Sequence, residues 1–345
     1  MALHLEETDP EKLATFRNML VSAPQRIVVV SHTNPDGDAI GVALAGHRLL
    51  TGMGHEVCAV LPNHYPSFLS WMTGIENIRI FKGGASDEKI LTDIAAADLI
   101  FCVDFNQIQR LERLGEAIMA NTRARRVLID HHLNPPADYD LVFSFPAASS
   151  TSYLLFKIIE AILGCDAIDA PIAESLYVGM MTDTGNFSFG NLTPDLFRAV
   201  AVLAEKGIDI PTINTLVYNN FSERRMRLLG HALSQKMEVM NTYGVAFICL
   251  KDHELRRFNF QIGDSEGFVN YPLAIKGIKM SAMFLQTKHF IRVSLRSQND
   301  VDVNLFARRY FEGGGHKNAS GGKSFATMEE TVVRFRAAVA EFFTS

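Results

Sequence analysis

Cysteine is scarce and never paired in this chain. Cys58, Cys102, Cys165 and Cys249 are widely spaced with no CxxC, which argues against a zinc knuckle or a disulfide framework and leaves buried, reduced thiols as the expectation. Long apolar runs are also missing. No stretch reaches the roughly 18 uncharged residues that a membrane helix needs, and the start, MALHLEETDPEKL, is acidic and polar rather than a secretory signal. The expected location is therefore the cytoplasm, with no membrane partner. A basic excess is lacking as well: the net charge is -5, which argues against a protein that coats long duplex DNA, because such binding neutralises many phosphates with Lys and Arg. Pro/Gly/Ser-rich linkers, internal repeats and low-complexity tracts are absent.

What is present is the balance of an ordinary globular protein, 48% hydrophobic and 21% charged, and 345 residues favour two domains, each with its own core. Charge is uneven. Between Lys276 and Lys323 nine Lys or Arg stand against three Asp or Glu, a local +6 that leaves -11 for the rest of a chain at -5. That segment suits an anionic substrate.

The first half alternates β-rich runs with helix-like segments: RIVVVSH, a helical stretch from about Asp38, then HEVCAVL, DLIFCVDF and RRVLIDHH. This rhythm predicts an α/β fold, a doubly wound parallel sheet with crossover helices. From about Thr151 to Gln235 the pattern turns helical, with Pro171, Pro194 and Pro211 placed where helices begin. After Asn241 come GVAFICL, KMSAMFLQT and HFIRVSLRS, a helical segment from Val301, a glycine-rich loop at 313–322 and a terminal amphipathic helix, which predict a second, smaller α/β domain. The expected division is 1–220 for the first domain with its trailing helices, 221–240 for a helical connector and 241–345 for the second. The apolar helix face at Leu228 and Leu229 is either core or the surface of a homodimer.

Several strands end in acids or imidazoles, and ligands in open α/β sheets bind beyond the carboxyl ends of the strands. SHTNPDGDAIG carries His32, Asp36 and Asp38 between a β run and a helix. Asp104 ends DLIFCVDF, Asp130-His131-His132 end VLIDHH, and Asp183 follows an apolar stretch in YVGMMTDTGNFSFG. Singly, each has a plain structural explanation as a helix cap or turn residue. Jointly they do not, because four separate element ends would have to present acids and imidazoles for no shared reason. Carboxylates about 4 Å apart at an effective dielectric near 20 repel by roughly 4 kcal/mol per pair. Four converging Asp need cations, and two divalent ions balance them. The oxygen-rich, thiolate-free donor set suits Mn²⁺, with Mg²⁺ or Co²⁺ as substitutes.

Taken in this order, the four segments resemble the DHH phosphoesterase superfamily, named for the triplet that stands here as Asp130-His131-His132. FEGGGHKNASGGKS is similar to the GGGH signature of the DHH-associated domain, and the pairing resembles the stand-alone, NrnA-like nanoRNase branch. The resemblance implies an active site in the cleft between the two domains and a Mn²⁺-dependent phosphoesterase acting on short oligoribonucleotides and on 3'-phosphoadenosine 5'-phosphate. It implies that His32, Asp36, Asp104 and Asp183 hold one ion and Asp38, Asp104, His131 and Asp183 the other. A water between the ions would attack phosphorus, with Asp104 and Asp183 bridging and His132 beside the phosphate. In the second domain it implies a substrate grip at Gly314, Gly315 and His316. Arg292 and Arg296, an even number apart on one strand with Ser294 between them, would share a face and suit a terminal phosphate; their alternative is a solvated basic edge.

One position departs from the pattern: Val42 follows Gly41 where many relatives carry a small hydroxyl residue. The competing readings are a cyclic-dinucleotide phosphodiesterase acting on c-di-AMP or pApA and, from another class, a non-catalytic nucleotide sensor. Family II pyrophosphatases differ in the second domain. A RecJ-type exonuclease would need further nucleic-acid-binding domains.

Overall fold

The structure is a computed structural model that describes residues 9–133 and 139–344. Most of the polar start MALHLEETDPEKL lies outside the described residues. The chain divides into two compact units, Met1–Asn219 and Asn220–Ser345.

The first unit runs α1 (Pro10–Val21), β1 (Arg26–Val30), α2 (Gly37–Gly52), β2 (Glu56–Leu61), β3 (Ile78–Ile80), α3 (Glu88–Ala96), β4 (Leu99–Val103), α4 (Arg113–Ala120), β5 (Arg125–Asp130), β6 (Leu141–Ser144), α5 (Thr151–Leu163), α6 (Ala170–Asp183), α7 (Pro194–Glu205) and α8 (Ile210–Tyr218). Its sheet has the order β3-β2-β1-β4-β5-β6, and all of its pairings are parallel. Strands buried on both faces read as continuous apolar runs, and β4, LIFCV, is buried throughout. Ile27, Val29, Phe101, Val103 and Ile129 face the layer that includes α1, α2, α5 and α6. Val28, Val30, Ile100, Cys102 and Leu128 face Ile90, Ile94, Leu114 and Ile118 of α3 and α4. This is the doubly wound arrangement that the alternating pattern predicts. Its order reverses between β1 and β4, the crevice where such sheets bind ligands.

Helix starts follow local chemistry. Pro171, Pro194 and Pro211 each sit in a first turn, behind the capping side chains of Asp169, Thr193 and Asp209. The short edge strands β3 and β6, three and four residues long, carry too little pattern to have been expected.

The second unit runs α9 (Glu223–Gln235), β7 (Met237–Met240), β8 (Val245–Leu250), α10 (Asp252–Arg257), β9 (Met280–Gln286), β10 (Ile291–Ser297), α11 (Val303–Tyr310), β11 (Gly314–Gly315), β12 (Ala319–Ser324) and α12 (Met328–Thr344). Its sheet is mixed, in the order β11-β12-β10-β9-β8-β7, with β8 and β9 parallel and the other neighbours antiparallel. One face packs Phe247, Phe284 and Val293 against Phe306 and Phe335 of α11 and α12. The other packs Ile248 and Met283 against Leu228, Leu229 and Ala232 of α9. The Leu228–Leu229 face is thus core of this unit. The stretch 221–240 forms its helical layer and an edge strand.

One local expectation is corrected. The glycine-rich stretch 313–322 is not simply a loop: Gly314–Gly315 and Ala319–Ser324 pair as the last two strands of the sheet. Glycine's lack of a Cβ permits this, since a Cβ on Gly313 would lie 2.0 Å from the Gly321 carbonyl oxygen. Of the cysteines, Cys58 and Cys102 are buried, Cys165 and Cys249 are half-buried, and all are free thiols.

Candidate metal centre

His32 lies just beyond β1, Asp104 beyond β4, and Asp130-His131-His132 at the end of β5. Asp36 and Asp38 open α2, and Asp183 closes α6. These side chains converge. Ligand atoms of His32, Asp36 and Asp104 lie within 4.8 Å of one another, as do those of Asp38, His131 and Asp183, and those of Asp104, Asp130 and His132. His131 Nε2 is 3.3 Å from Asp183, 3.7 Å from Asp104 and 4.0 Å from Asp38. His32 Nε2 is 3.3 Å from Asp104.

Each side chain is held from behind. Asp36 caps α2, its carboxylate accepting from the N–H groups of Asp38 and Ala39 at 3.1 Å. Asp38 accepts from the N–H groups of Thr151 at 2.7 Å and Ser152 at 2.9 Å, so it rests on the N-terminus of α5. That helix end favours negative charge. The Thr151 hydroxyl donates to Asp104 at 2.9 Å. Close packing of α2 on α6 completes the site: a Cβ on Gly179 would fall 1.9 Å from Ser152 Oγ and 2.7 Å from Asp38 Oδ1.

Backbone strain gathers in the same region. Asp104 has φ 64° and Asn34 φ 53°, conformations that L-residues adopt rarely. In its neighbourhood Glu112 has φ 52°, and Asn186 and Phe187, just past Asp183, have φ 58° and 57°.

The donor set fits divalent cations. His131 Nδ1 donates to the Ala148 carbonyl at 3.2 Å and His32 Nδ1 to the Thr33 carbonyl at 2.8 Å. In the neutral rings the lone pair is therefore on Nε2, and each Nε2 faces carboxylate oxygens. Lone pair against carboxylate is repulsive unless a cation or a proton lies between them. The buried acids titrate accordingly. Burial, with the charges of Asp104 and Asp183, holds the Asp38 carboxyl well above its ordinary value. Burial would raise Asp104 too, but the hydrogen bond and charge of His32 and the charges of His132 and His131 hold it well below. Burial opposes charge on His131, yet Asp183, Asp104 and Asp38 raise it to about 9. The cluster demands positive charge.

His132 stands beside this group with a different role. Its Nδ1 donates to buried Asp130 at 2.7 Å, and its Nε2 meets the Arg110 guanidinium at 3.3 Å. Thr151, Ser152 and Arg110 were not anticipated. The run SSTS before an apolar helix reads as an ordinary helix start, and nothing local ties it to Asp38.

The expected substrate residues lie in the second unit. Arg292, Ser294 and Arg296 share the face of β10 opposite buried Ile291, Val293 and Leu295. Ser294 is in register with Gly321, and Gly321 with Gly314, so these sit side by side across three strands. Arg292 donates to Ser265 Oγ at 2.8 Å, and Arg296 to the Leu295 carbonyl at 3.0 Å. Gly315 N–H donates to Asn304 at 3.1 Å, and half-buried His316 donates its N–H to the Ala319 carbonyl at 2.8 Å.

Residues 26–180 match the DHH family, N-terminal domain, and residues 242–345 match the DHHA1 domain. The fold matches the crystal structure of an exopolyphosphatase-related protein from Bacteroides fragilis with a TM-score of 0.91, at 38% identity over 97% of both chains. The chain belongs to the DHH family. DHH relatives include the bifunctional oligoribonuclease and PAP phosphatase NrnA of Thermus thermophilus, 26% identical over 90% of this chain and 88% of that one. The Bacillus subtilis protein of the same name is 27% identical over 90% of this chain and 92% of that one. With these relatives over nearly its whole length, the chain is a DHH phosphoesterase, a hydrolase.

Proposed function

We propose that this hydrolase cleaves short oligoribonucleotides and 3'-phosphoadenosine 5'-phosphate, using two divalent cations of the Mn²⁺ class. The observation that carries the reading is the pair of buried imidazoles whose Nε2 atoms face shared carboxylates at the strand ends. His32, Asp36, Asp104 and Asp183 would hold one ion and Asp38, Asp104, His131 and Asp183 the other. Bound there, two ions offset the charge that develops on the phosphoryl oxygens and acidify water.

The chain's own groups do the rest. Amides at the start of α5 and the Thr151 hydroxyl keep Asp38 and Asp104 in place as the charge around them changes. Asp130 through Nδ1 and Arg110 through Nε2 fix the His132 ring, and with substrate bound Nε2 would exchange the Arg110 contact for the phosphate, where it could accept or return a proton. In the second unit Arg292 and Arg296 supply charge for a terminal phosphate. The backbone at Gly314 and Gly315, with Ser294 and His316 nearby, suits close approach of a phosphate. NrnA-named relatives matched over nearly their full lengths support this substrate class.

The test is a panel of pApA, 3'-phosphoadenosine 5'-phosphate, c-di-AMP and pyrophosphate with Mn²⁺. Turnover of the first two well above the others is expected. Preference for c-di-AMP would move the assignment to cyclic-dinucleotide phosphodiesterase, and hydrolysis of none would leave a nucleotide sensor.

A further inference from the structure

Arg110 is a cation that the proposed ligand set does not use. It lies in a 3₁₀ turn, Ile108–Leu111, six residues past Asp104. Its main chain is anchored independently of its side chain: the Arg110 carbonyl accepts from Thr33 N–H at 2.8 Å, and its own N–H donates to Gln107 O at 3.0 Å. The side chain is half-buried and reaches His132, with Nη1 3.3 Å from Nε2. Among the described residues its guanidinium makes no ion pair, although four buried or half-buried Asp side chains and exposed Asp36 surround the adjoining centre.

A guanidinium has five N–H donors in a planar fork, of which the contact to His132 uses one. The remaining donors suit the two non-bridging oxygens of a phosphate, the geometry Arg matches better than Lys. Had Arg110 served only to balance charge, pairing with a carboxylate would have been the lower-energy arrangement. It is directed instead at the imidazole that faces away from the carboxylates through Nε2.

We infer that Arg110 contacts substrate, holding non-bridging oxygens of the phosphoryl group that reacts beside His132. The inference rests on the phosphoesterase reading above and adds the residue that grips the reacting group within the first unit.

The experiment compares Arg110→Ala, Arg110→Gln and Arg110→Lys in the full-length, Mn²⁺-loaded protein. Glutamine keeps an N–H donor for His132 but has no charge and no fork, so it separates positioning of the imidazole from binding of phosphate. Expected are a loss of about 10²-fold or more in kcat/KM for pApA with both Ala and Gln, and partial recovery with Lys. Orthophosphate binding, read by calorimetry, should weaken at least about tenfold in the Ala and Gln variants. The number of Mn²⁺ bound and the thermal midpoint should stay as in the parent. Added guanidinium at millimolar concentration should restore part of the Ala variant's turnover. A Gln variant with parental kcat/KM and parental orthophosphate affinity would overturn the inference and reduce Arg110 to a positioning residue. Failure of the parent protein to hydrolyse any phosphoester would instead strike the functional reading itself, so the two failures are distinct.

Discussion

Asp104 is where the competing demands on a single residue are sharpest. It ends an apolar strand, adopts φ 64°, is 1% exposed and lies against His32, His131, His132 and Thr151. Asp104→Asn keeps the shape and the acceptor for the Thr151 hydroxyl, and Asn tolerates the left-handed region as well as Asp does. The substitution removes one negative charge from a crowded centre, so folding should be retained while cation binding weakens. The expected outcome is a loss of about 10³-fold or more in kcat, with folding retained in chelator at a lower thermal midpoint, because His32, His131 and His132 favour the Asp104 charge in the folded state. Turnover near the parental value would remove Asp104 from the proposed ligand set. The sequence already isolates this carboxylate, because an acid at the end of a wholly apolar run stands out. Its backbone strain was not legible, since φ is set by the turn that β4 makes over β5, not by neighbouring residue types. Asp36 shows why single-residue readings are ambiguous: it is both the helix cap that composition favours and a member of a candidate metal-ligand triad.

Strands and helices of the first unit were legible because each carries a strong period or a strong cap, and β1, β2, β4 and β5 fall on the expected runs. What the pattern could not provide was the partner of Asp38. Thr151 and Ser152 lie more than a hundred positions away in sequence, and only the crossover of α5 brings its amides to that carboxylate. In the second unit the charged start of α10 shows a similar long-range tie. Glu254 is 6% exposed and accepts from Lys236 at 2.7 Å, His231 at 3.1 Å and the Lys251 N–H at 2.9 Å, joining α10 to α9 and to the residue that caps its end. Burial alone would raise its carboxyl, but Lys236, the Lys251 amide and His231 together hold it at about 2, below its ordinary 4.5. A depressed carboxylate stabilises the folded state above its unfolded value and loses that contribution as pH falls through the folded one. Glu254→Gln should therefore cost on the order of 2 kcal/mol near neutrality. The gap from the parent should close as pH falls from 4.5 towards 2. Calorimetric midpoints of the two proteins across that range check this, and a gap independent of pH would mean that packing, not charge, carries the contact.

At the scale of the molecule, each unit has its own apolar cores, built on its own six-stranded sheet. All six proposed cation ligands belong to the first. Cations that bind only folded protein stabilise it by mass action, about 2.7 kcal/mol per site at a hundredfold excess over the dissociation constant. For a unit of this size that corresponds to a rise on the order of 5–10 °C in its thermal midpoint. Saturating Mn²⁺ should thus raise the transition of the full chain's first unit, and Asp104→Asn should remove most of the rise. A fragment of residues 220–345 should unfold cooperatively on its own core with a midpoint that Mn²⁺ leaves unchanged. A fragment that responds to Mn²⁺ as strongly as the full chain would place cation binding in the second unit and would dissolve the link between the strand-end cluster and the chemistry assigned to it.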